Sequence, residues 1–539
     1  MTKKILFIIP PNGPFDSFIP KGPGQKKYFL TPPYGVLSII SYINEDKNYD
    51  ITIFDCNKTI LENLNCSDLE KLTYDSLKET ILSFNPNYIC ISALFNTSFS
   101  HMKMVKEIKH YYSDAPILIG GGLATNLYEE LFNEFPEIDA ICFGEGEIPV
   151  KELFNANVPV SEYHTVSPAW ITKESLSTGN VPQHNMVNDI NEIPIIDFSY
   201  IDLKKYNGRS YIEKNPLIEK IEVSIHTSRG CPFFCIFCSN AQLHGKKVRL
   251  MSLDKVIETI ESYKKNYGLT ILLVEDDHFL SNKKRALDIL KYIKDNNITV
   301  EFPNGLAVYK IDDDIAQALS DAKVKLVTLA IESGSDYVLK NLMSKPLNTK
   351  QITKAVNILR KYDIRIHVFI VIGIPGEFDS HREESLNFII NLGIDWAYVF
   401  IAIPIAGSRL FKICKKNNYL ISNSYDNHTI SHGSIKAPGV DPKEIEEYAY
   451  YMNIMINFIE NINIKKGKYE VAEEYFQNVI RSYPEQAIAY YMLSIIYKNT
   501  NPIKYEEYYN NYLKYYDKHI GIYKNSRFWK KLIEHTFMR

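Results

Sequence analysis

The chain has 539 residues, of which 45% are hydrophobic and 23% charged, with a formal net charge of −3. That is ordinary globular composition with apolar residues enough for several cores, and at roughly 150 residues per domain it suggests three or four. Near neutrality gives no electrostatic case for nucleic acid or a membrane surface as partner, and eight cysteines are too sparse for a disulfide scaffold and point to a reducing cytoplasm.

Met1 to Lys4 followed by Ile5–Ile9 imitates a signal peptide, but the apolar run is shorter than the ~7–15 residues required and stops at Pro10-Pro11. It reads as a first buried strand. No run reaches the ~18 apolar residues of a transmembrane segment. Further strands are expected at Ile51–Phe54, Tyr88–Leu94, Ile117–Gly120 and Ala140–Phe143. Helical patterns alternate with them at Gly35–Asn44, Leu69–Phe84, His101–Tyr112, Asn126–Phe135 and Pro149–Phe154. Strands this apolar, alternating with helices, argue for a doubly wound, Rossmann-like parallel sheet over residues 1–155. Ligands in such folds sit beyond the carboxyl ends of the strands. The punctuation falls there, at Pro10 to Gly13, Ser92 to Ser98, Gly120-Gly121-Gly122-Leu-Ala-Thr125 and Gly144-Glu145-Gly146-Glu147. Glycines let the backbone approach a bulky ligand closely. Residues 156–215 are polar and suit a surface linker.

After the apolar run Ile221 to Ile225 comes Thr227-Ser-Arg-Gly-Cys-Pro-Phe-Phe-Cys-Ile-Phe-Cys-Ser-Asn240. Cys231, Cys235 and Cys238 stand in C-x3-C-x2-C spacing. Three thiolates on one loop can grip three irons of a [4Fe–4S] cluster and leave the fourth open for chemistry. A zinc knuckle would want a fourth ligand, for which only His226 and His244 are near. The β/α alternation restarts here and runs over residues 216–420. Strands are expected at Ile221–His226, Ile271–Glu275, Thr299–Phe302, Val327–Ile331, Arg365–Ile374 and Ala397–Ile403. Helices are expected at Leu253–Tyr263, Lys283–Lys294, Asp313–Leu319, Thr349–Tyr362, Arg382–Leu392 and Arg409–Lys416. Six units fall short of the eight of a closed barrel. Glu275, Asp276 and Asp277, three adjacent acids after the second strand, are expected to cap the next helix or face solvent, and Lys345 reads equally well as a surface residue or a ligand.

The cysteine spacing, with Phe237 before the last cysteine, resembles the signature of the radical S-adenosylmethionine (radical SAM) superfamily. The loops of residues 1–155 resemble the cobalamin-binding domain that precedes the radical core in many of its members. The resemblance implies a six-unit partial barrel and three cofactors: a [4Fe–4S] cluster on the three cysteines, SAM and cobalamin. By the same resemblance Phe237, Glu332, Ser333, Gly373 and Pro375 attend SAM. Ser92, Gly120, Gly121, Gly122, Gly144, Glu145 and Gly146 attend cobalamin. It further implies a small-molecule or peptide substrate, an electron donor such as flavodoxin or ferredoxin, and methylation of an unactivated carbon. Cyclisation or ring contraction without methyl transfer is the alternative, a radical SAM enzyme whose front domain has lost its cofactor the third reading, and a non-catalytic adaptor the reading from another class. The loop Pro10–Leu30 lacks the Asp-x-His-x-x-Gly pattern that supplies a histidine to cobalt, so cobalamin is expected without histidine ligation.

Residues 421–539 turn helical after the Pro438-Gly439 pair. Gly467 to Ala472, Phe476, Pro484, Ala487 and Tyr490 resemble one tetratricopeptide repeat. So short an array cannot bury its own apolar face and is expected to lean on the core.

Overall fold

The computed structural model describes residues 2–19, 30–45, 47–94, 96–206, 220–422, 424–425, 432–523, 525–533 and 536. The first sheet is built from β1 (Lys3–Ile9), β2 (Tyr49–Asp55), β3 (Tyr88–Ser92), β4 (Ile117–Gly120), β5 (Ala140–Cys142) and β6 (Trp170–Ile171), in the order β2-β1-β3-β4-β5-β6. All pairs are parallel except β5 with β6. Along β1, Ile5 and Phe7 enter one apolar core while Leu6 and Ile8 enter another. Both faces are therefore covered, which is why the strand reads as an unbroken apolar run. β6 lies within the expected linker. Two residues are too few to show a period, and its place is secured by Trp170, whose Nε1 donates to Pro149 O at 3.0 Å.

The second unit opens with β7 (Glu222–Ile225), followed by a two-residue ladder of β8 (Ser228–Arg229) with β9 (Arg249–Leu250). This ladder closes the base of the cysteine loop. Then come β10 (Ile271–Val274), β11 (Thr299–Glu301), β12 (Leu326–Glu332), β13 (Arg365–Ile372) and β14 (Trp396–Ile401). They form two parallel sheets, β11-β10-β7 and β12-β13-β14, joined by a bridge between Leu306 and Leu329. Side by side, the six long strands follow chain order. Two expected helices are broken: Met104–Tyr111 follows a 3-10 turn at Ser100–Lys103, and Gly122–Asn126 is separate from Tyr128–Glu134.

Among the described residues, the chain after Val440 is helical and docked. Helix Pro442–Ile454 contributes Ile445, Tyr448 and Met452 to the main core. β14 ends its sheet, and Asn457 covers it: its Oδ1 accepts from Ala397 N at 2.7 Å and its Nδ2 donates to Ala397 O at 2.8 Å. Arg365 donates to both carboxylate oxygens of Glu474 at 2.9 and 2.8 Å. Helices Tyr469–Ser482, Ala487–Tyr497 and Pro502–His519 then bury Phe476, Leu493, Tyr512 and Trp529 together. Asn457→Ala leaves two buried backbone groups unpaired and is expected to cost about 2–4 kcal/mol. Thermal unfolding reads the loss. Limited proteolysis should sever the helical tail from this variant and not from the parent.

Candidate active site

The cysteine loop is braced from every side. Asp276, buried at the end of β10, accepts from Thr227 N at 2.5 Å, Thr227 Oγ1 at 2.6 Å and Ser228 Oγ at 2.8 Å. Asp277 accepts from Gly230 N at 2.8 Å. Buried Arg285 grips the same stretch from the other side, donating to Thr227 O and Met251 O at 2.6 Å each. These acids neither cap a helix nor face solvent; they hold the start of the loop. Within it, Ile236 N donates to Met343 O and Ile236 O accepts from Leu410 N.

Cys231 and Cys235 are half-buried and Cys238 is exposed. Among the described residues no three His, Cys, Asp or Glu side chains converge as one metal ion would require. Thiolates spread along a loop suit the separate corners of an iron–sulfur cube. Burial pushes the Cys235 thiol up to about 11, with Lys345 pulling the other way. A bound cluster supplies the positive charge that makes thiolates of such groups. Lys345 is no surface residue. Its Nζ donates to Glu332 Oε1 at 3.0 Å, both side chains being largely buried. Burial works against its charge, but Glu332 and the Cys235 and Cys238 thiols outweigh it and raise its pKa.

Glu332 follows a register shift in β12 and has φ +64°, a strained left-handed conformation that turns it out of the strand. Ser333 is 1% exposed and its hydroxyl pairs with Ser385 Oγ at 2.9 Å. It pins the loop to helix Asp379–Leu392. Gly373 N donates to Glu377 Oε2 at 2.5 Å, and Pro375 lies half-exposed beyond it. Phe237 packs at the margin of the main core. Near the loop, His278 Nε2 bonds Tyr309 Oη, and the Phe233 ring packs against both.

Glu377 gives a pH-dependent prediction. Burial pushes its carboxyl from 4.5 up to about 7, against the Gly373 N–H and Arg382. The folded protein therefore binds this proton more tightly than the unfolded chain, and stability falls as pH rises from about 4.5 to 7. The loss amounts to about 3 kcal/mol above that window. Glu377→Gln is expected to flatten this slope, read by denaturant unfolding at pH 5 and pH 8.

In the first unit, Gly121 has φ +101°, and a Cβ there would stand 2.6 Å from Ala93 O. Glycine thus lets the Gly120–Gly122 loop close on the end of β3, beside Ser92, which pairs in register with Gly120. Leu94, half-exposed, borders it. The loop thus presents backbone and an apolar rim at the carboxyl end of the sheet, the edge beyond which such sheets take their ligands. At the end of the neighbouring strand, Cβ atoms on Gly144 and Gly146 would meet His184 Nδ1 at 2.5 Å and Ile39 Cδ1 at 2.6 Å. Glu145 is buried at the boundary between the units. Arg249 Nη2 and Nη1 donate to its two oxygens at 2.5 and 2.9 Å, and His244 Nδ1 lies 2.7 Å away. Burial alone would raise its carboxyl, yet His244, Arg249 and Arg229 hold it well below the usual range. Glu147 accepts from Arg229 Nη1 at 2.8 Å and Ser38 Oγ at 2.6 Å. Tyr34 also crosses the boundary, its ring 4.5 Å from that of His226.

Against this geometry the comparisons with known proteins are specific. Residues 23–154 match the B12 binding domain and residues 225–389 the Radical SAM superfamily. The chain is a radical SAM enzyme with a B12-binding domain. These domains give it a [4Fe–4S] cluster, SAM and cobalamin as cofactors. It is 29% identical to an uncharacterized methyltransferase of Pyrococcus horikoshii over 79% of this chain and 86% of that one. It is 25% identical to the cytidylyl-2-hydroxyethylphosphonate methyltransferase of Streptomyces wedmorensis over 78% and 85%. In fold it is similar to the radical SAM methyltransferase TsrM of Kitasatospora setae, with TM-score 0.58, 14% identity and coverage of 85% and 86%. It is also similar to the cobalamin-dependent radical SAM enzyme OxsB, with TM-score 0.62, 12% identity and coverage of 99% and 75%.

Arg229, Arg249 and Arg285 escaped the sequence reading, and Asp276 reads there as a cap or a solvent-facing acid. Arg229 stood in the cysteine stretch itself, and Arg249 is a charge between apolar neighbours; each was a signal of a buried partner.

Proposed function

We propose that the protein methylates an unactivated carbon of a biosynthetic intermediate. One observation carries this: Glu145 and Glu147, on the first unit, are hydrogen-bonded to the arginines that flank the three-cysteine loop of the second. Two cofactor loops are thereby held at one boundary, and two relatives that span more than three quarters of the chain are named as methyltransferases. When bound, the cluster and SAM supply one-electron chemistry and cobalamin supplies a transferable methyl group.

The six strands in chain order are read as a partial barrel, and the first sheet as a Rossmann-like domain. Cys231, Cys235 and Cys238 hold the cluster. Glu332, fixed by Lys345, and Ser333, Gly373, Pro375 and Phe237 shape the SAM side. Ser92 and Gly120 to Gly122 receive cobalamin, with Leu94 at the rim excluding water. Confining a radical to a dry cleft limits side reactions. A flavodoxin or ferredoxin in the cytoplasm is the reading for the electron source.

The test is anaerobic incubation of the reduced, reconstituted protein with SAM and candidate substrates. S-adenosylhomocysteine with methylated product supports methylation; product without it would instead support cyclisation. The Co(II) form should show no nitrogen superhyperfine splitting in electron paramagnetic resonance. Of the two histidines in residues 1–155, His101 has Nε2 3.0 Å from Gly13 O and His110 is exposed on helix Met104–Tyr111. Residues 20–29 of the expected ligand-free loop lie outside the described residues.

A further inference from the structure

The Gly144-Glu-Gly-Glu147 loop is expected from sequence to face cobalamin, yet both of its carboxylates are committed to the second unit. Glu145 is 5% and Glu147 3% exposed, against 8% for Arg229 and 6% for Arg249. Arg229 lies two residues before Cys231 on β8, with Arg249 paired opposite it on β9. His244, the third partner, ends the helix Asn240–His244 that begins two residues after Cys238. The clasp thus takes hold of the cysteine loop at both ends. On its other side, Gly144 N donates to Thr125 Oγ1 at 3.0 Å, and Thr125 belongs to the helix that starts at Gly122. A continuous bonded path runs from the Gly120–Gly122 loop through Thr125, Gly144 and Glu145 to Arg249, His244 and Arg229.

Stability alone does not call for such a device. Apolar residues of similar volume join two surfaces as well as buried ions, and usually better. What charge and directional hydrogen bonds add is a single relative placement. Gly144 and Gly146 pack closely on His184 and Ile39, on the loop's own side, while its two carboxylates reach across to Arg249, His244 and Arg229.

We propose that Glu145 is a positioning residue that couples the cobalamin loop to the cluster loop and sets the separation between cobalt and cluster. This rests on the reading that Gly120–Gly122 receives cobalamin and the three cysteines the cluster. The test uses the full chain reconstituted with iron, sulfide and hydroxocobalamin, then reduced so that cobalt and cluster are both paramagnetic. Pulsed electron paramagnetic resonance measures the dipolar coupling between them, and equilibrium dialysis the Kd for hydroxocobalamin. Glu145→Gln, which keeps the shape and removes the charge, is expected to shift the coupling and weaken cobalamin binding by about tenfold. Glu145→Asp should recover part of both. His244→Gln removes only the part-exposed arm and should move both in the same direction by less; it stands in should Glu145→Gln fail to fold. Variants that hold both cofactors with wild-type coupling and Kd would overturn the proposal, even with a lowered thermal midpoint, because the clasp would then be merely structural. A parent protein that takes up no cobalamin would overturn the underlying reading, and this inference with it.

Discussion

Replacing Cys231, Cys235 or Cys238 by alanine, one at a time, is expected to bring SAM turnover to background and leave the reconstituted protein short of iron. On the proposed assignment each thiol is one of three ligands on a single loop, and no other cysteine is placed to substitute. Cys56, Cys90, Cys142 and Cys414 are buried in cores, and Cys66 lies beside a small separate cluster with Phe18 and Ile60. Cys142 comes nearest in topology, its Sγ 4.0 Å from Glu145 O, but it is 4% exposed. The folded chain should survive, since half-exposed thiols contribute little packing; changes within about 0.5 kcal/mol are expected in the metal-free protein. Iron and sulfide per chain, with the visible absorbance of the cluster, check the first part, and thermal unfolding the second. A single alanine variant with parental iron content and turnover would refute the ligand assignment.

The elements were legible because their signals are local. β1 is an apolar run stopped by two prolines, and the helix Tyr34–Ile43 begins just after Pro33. The cysteines were legible because a loop carries its own spacing. Partners distant in the chain were not. Glu145 and Arg249 lie 104 residues apart, and nothing in either neighbourhood says that one neutralises the other. Acids after a strand usually cap or solvate, so Asp276 gave no sign that it would be buried under Thr227. Lys345 looked like any loop lysine until Glu332 and two thiols surrounded it. Ser333 stands in a loop that suits a ligand, but its hydroxyl closes on Ser385. Local pattern finds the frame; the partners of buried charges are set by tertiary pairing.

Asp276→Ala is expected to be the most damaging single change outside the cysteines. It strips three hydrogen bonds from Thr227 and Ser228 and leaves Arg285, 8% exposed, without a compensating carboxylate. Removing one partner of such a buried network costs about 3–5 kcal/mol. The effect should spread past stability, because Asp276 ties down the start of the cysteine loop: with the Thr227 N–H and both hydroxyls released, Thr227 is held only through its carbonyl, by Arg285 and Met251 N. Iron uptake should therefore fall along with the unfolding midpoint. Asp276→Asn separates charge from geometry. Its oxygen can still accept from Thr227 N, while its amide donates to the two hydroxyls, which rotate to accept. Burial pushes the Asp276 carboxyl from 3.8 up to about 6, partly offset by Thr227 and Arg285, so its charge is a liability in the folded state. Stability should fall as pH rises from about 4 to 6, by up to about 3 kcal/mol. The asparagine variant should lose that slope and keep the cluster. Urea unfolding at pH 4.5, 6 and 7.5 with iron analysis of each variant tests the account, which fails if the alanine variant loads iron like the parent or the asparagine variant keeps the parental slope.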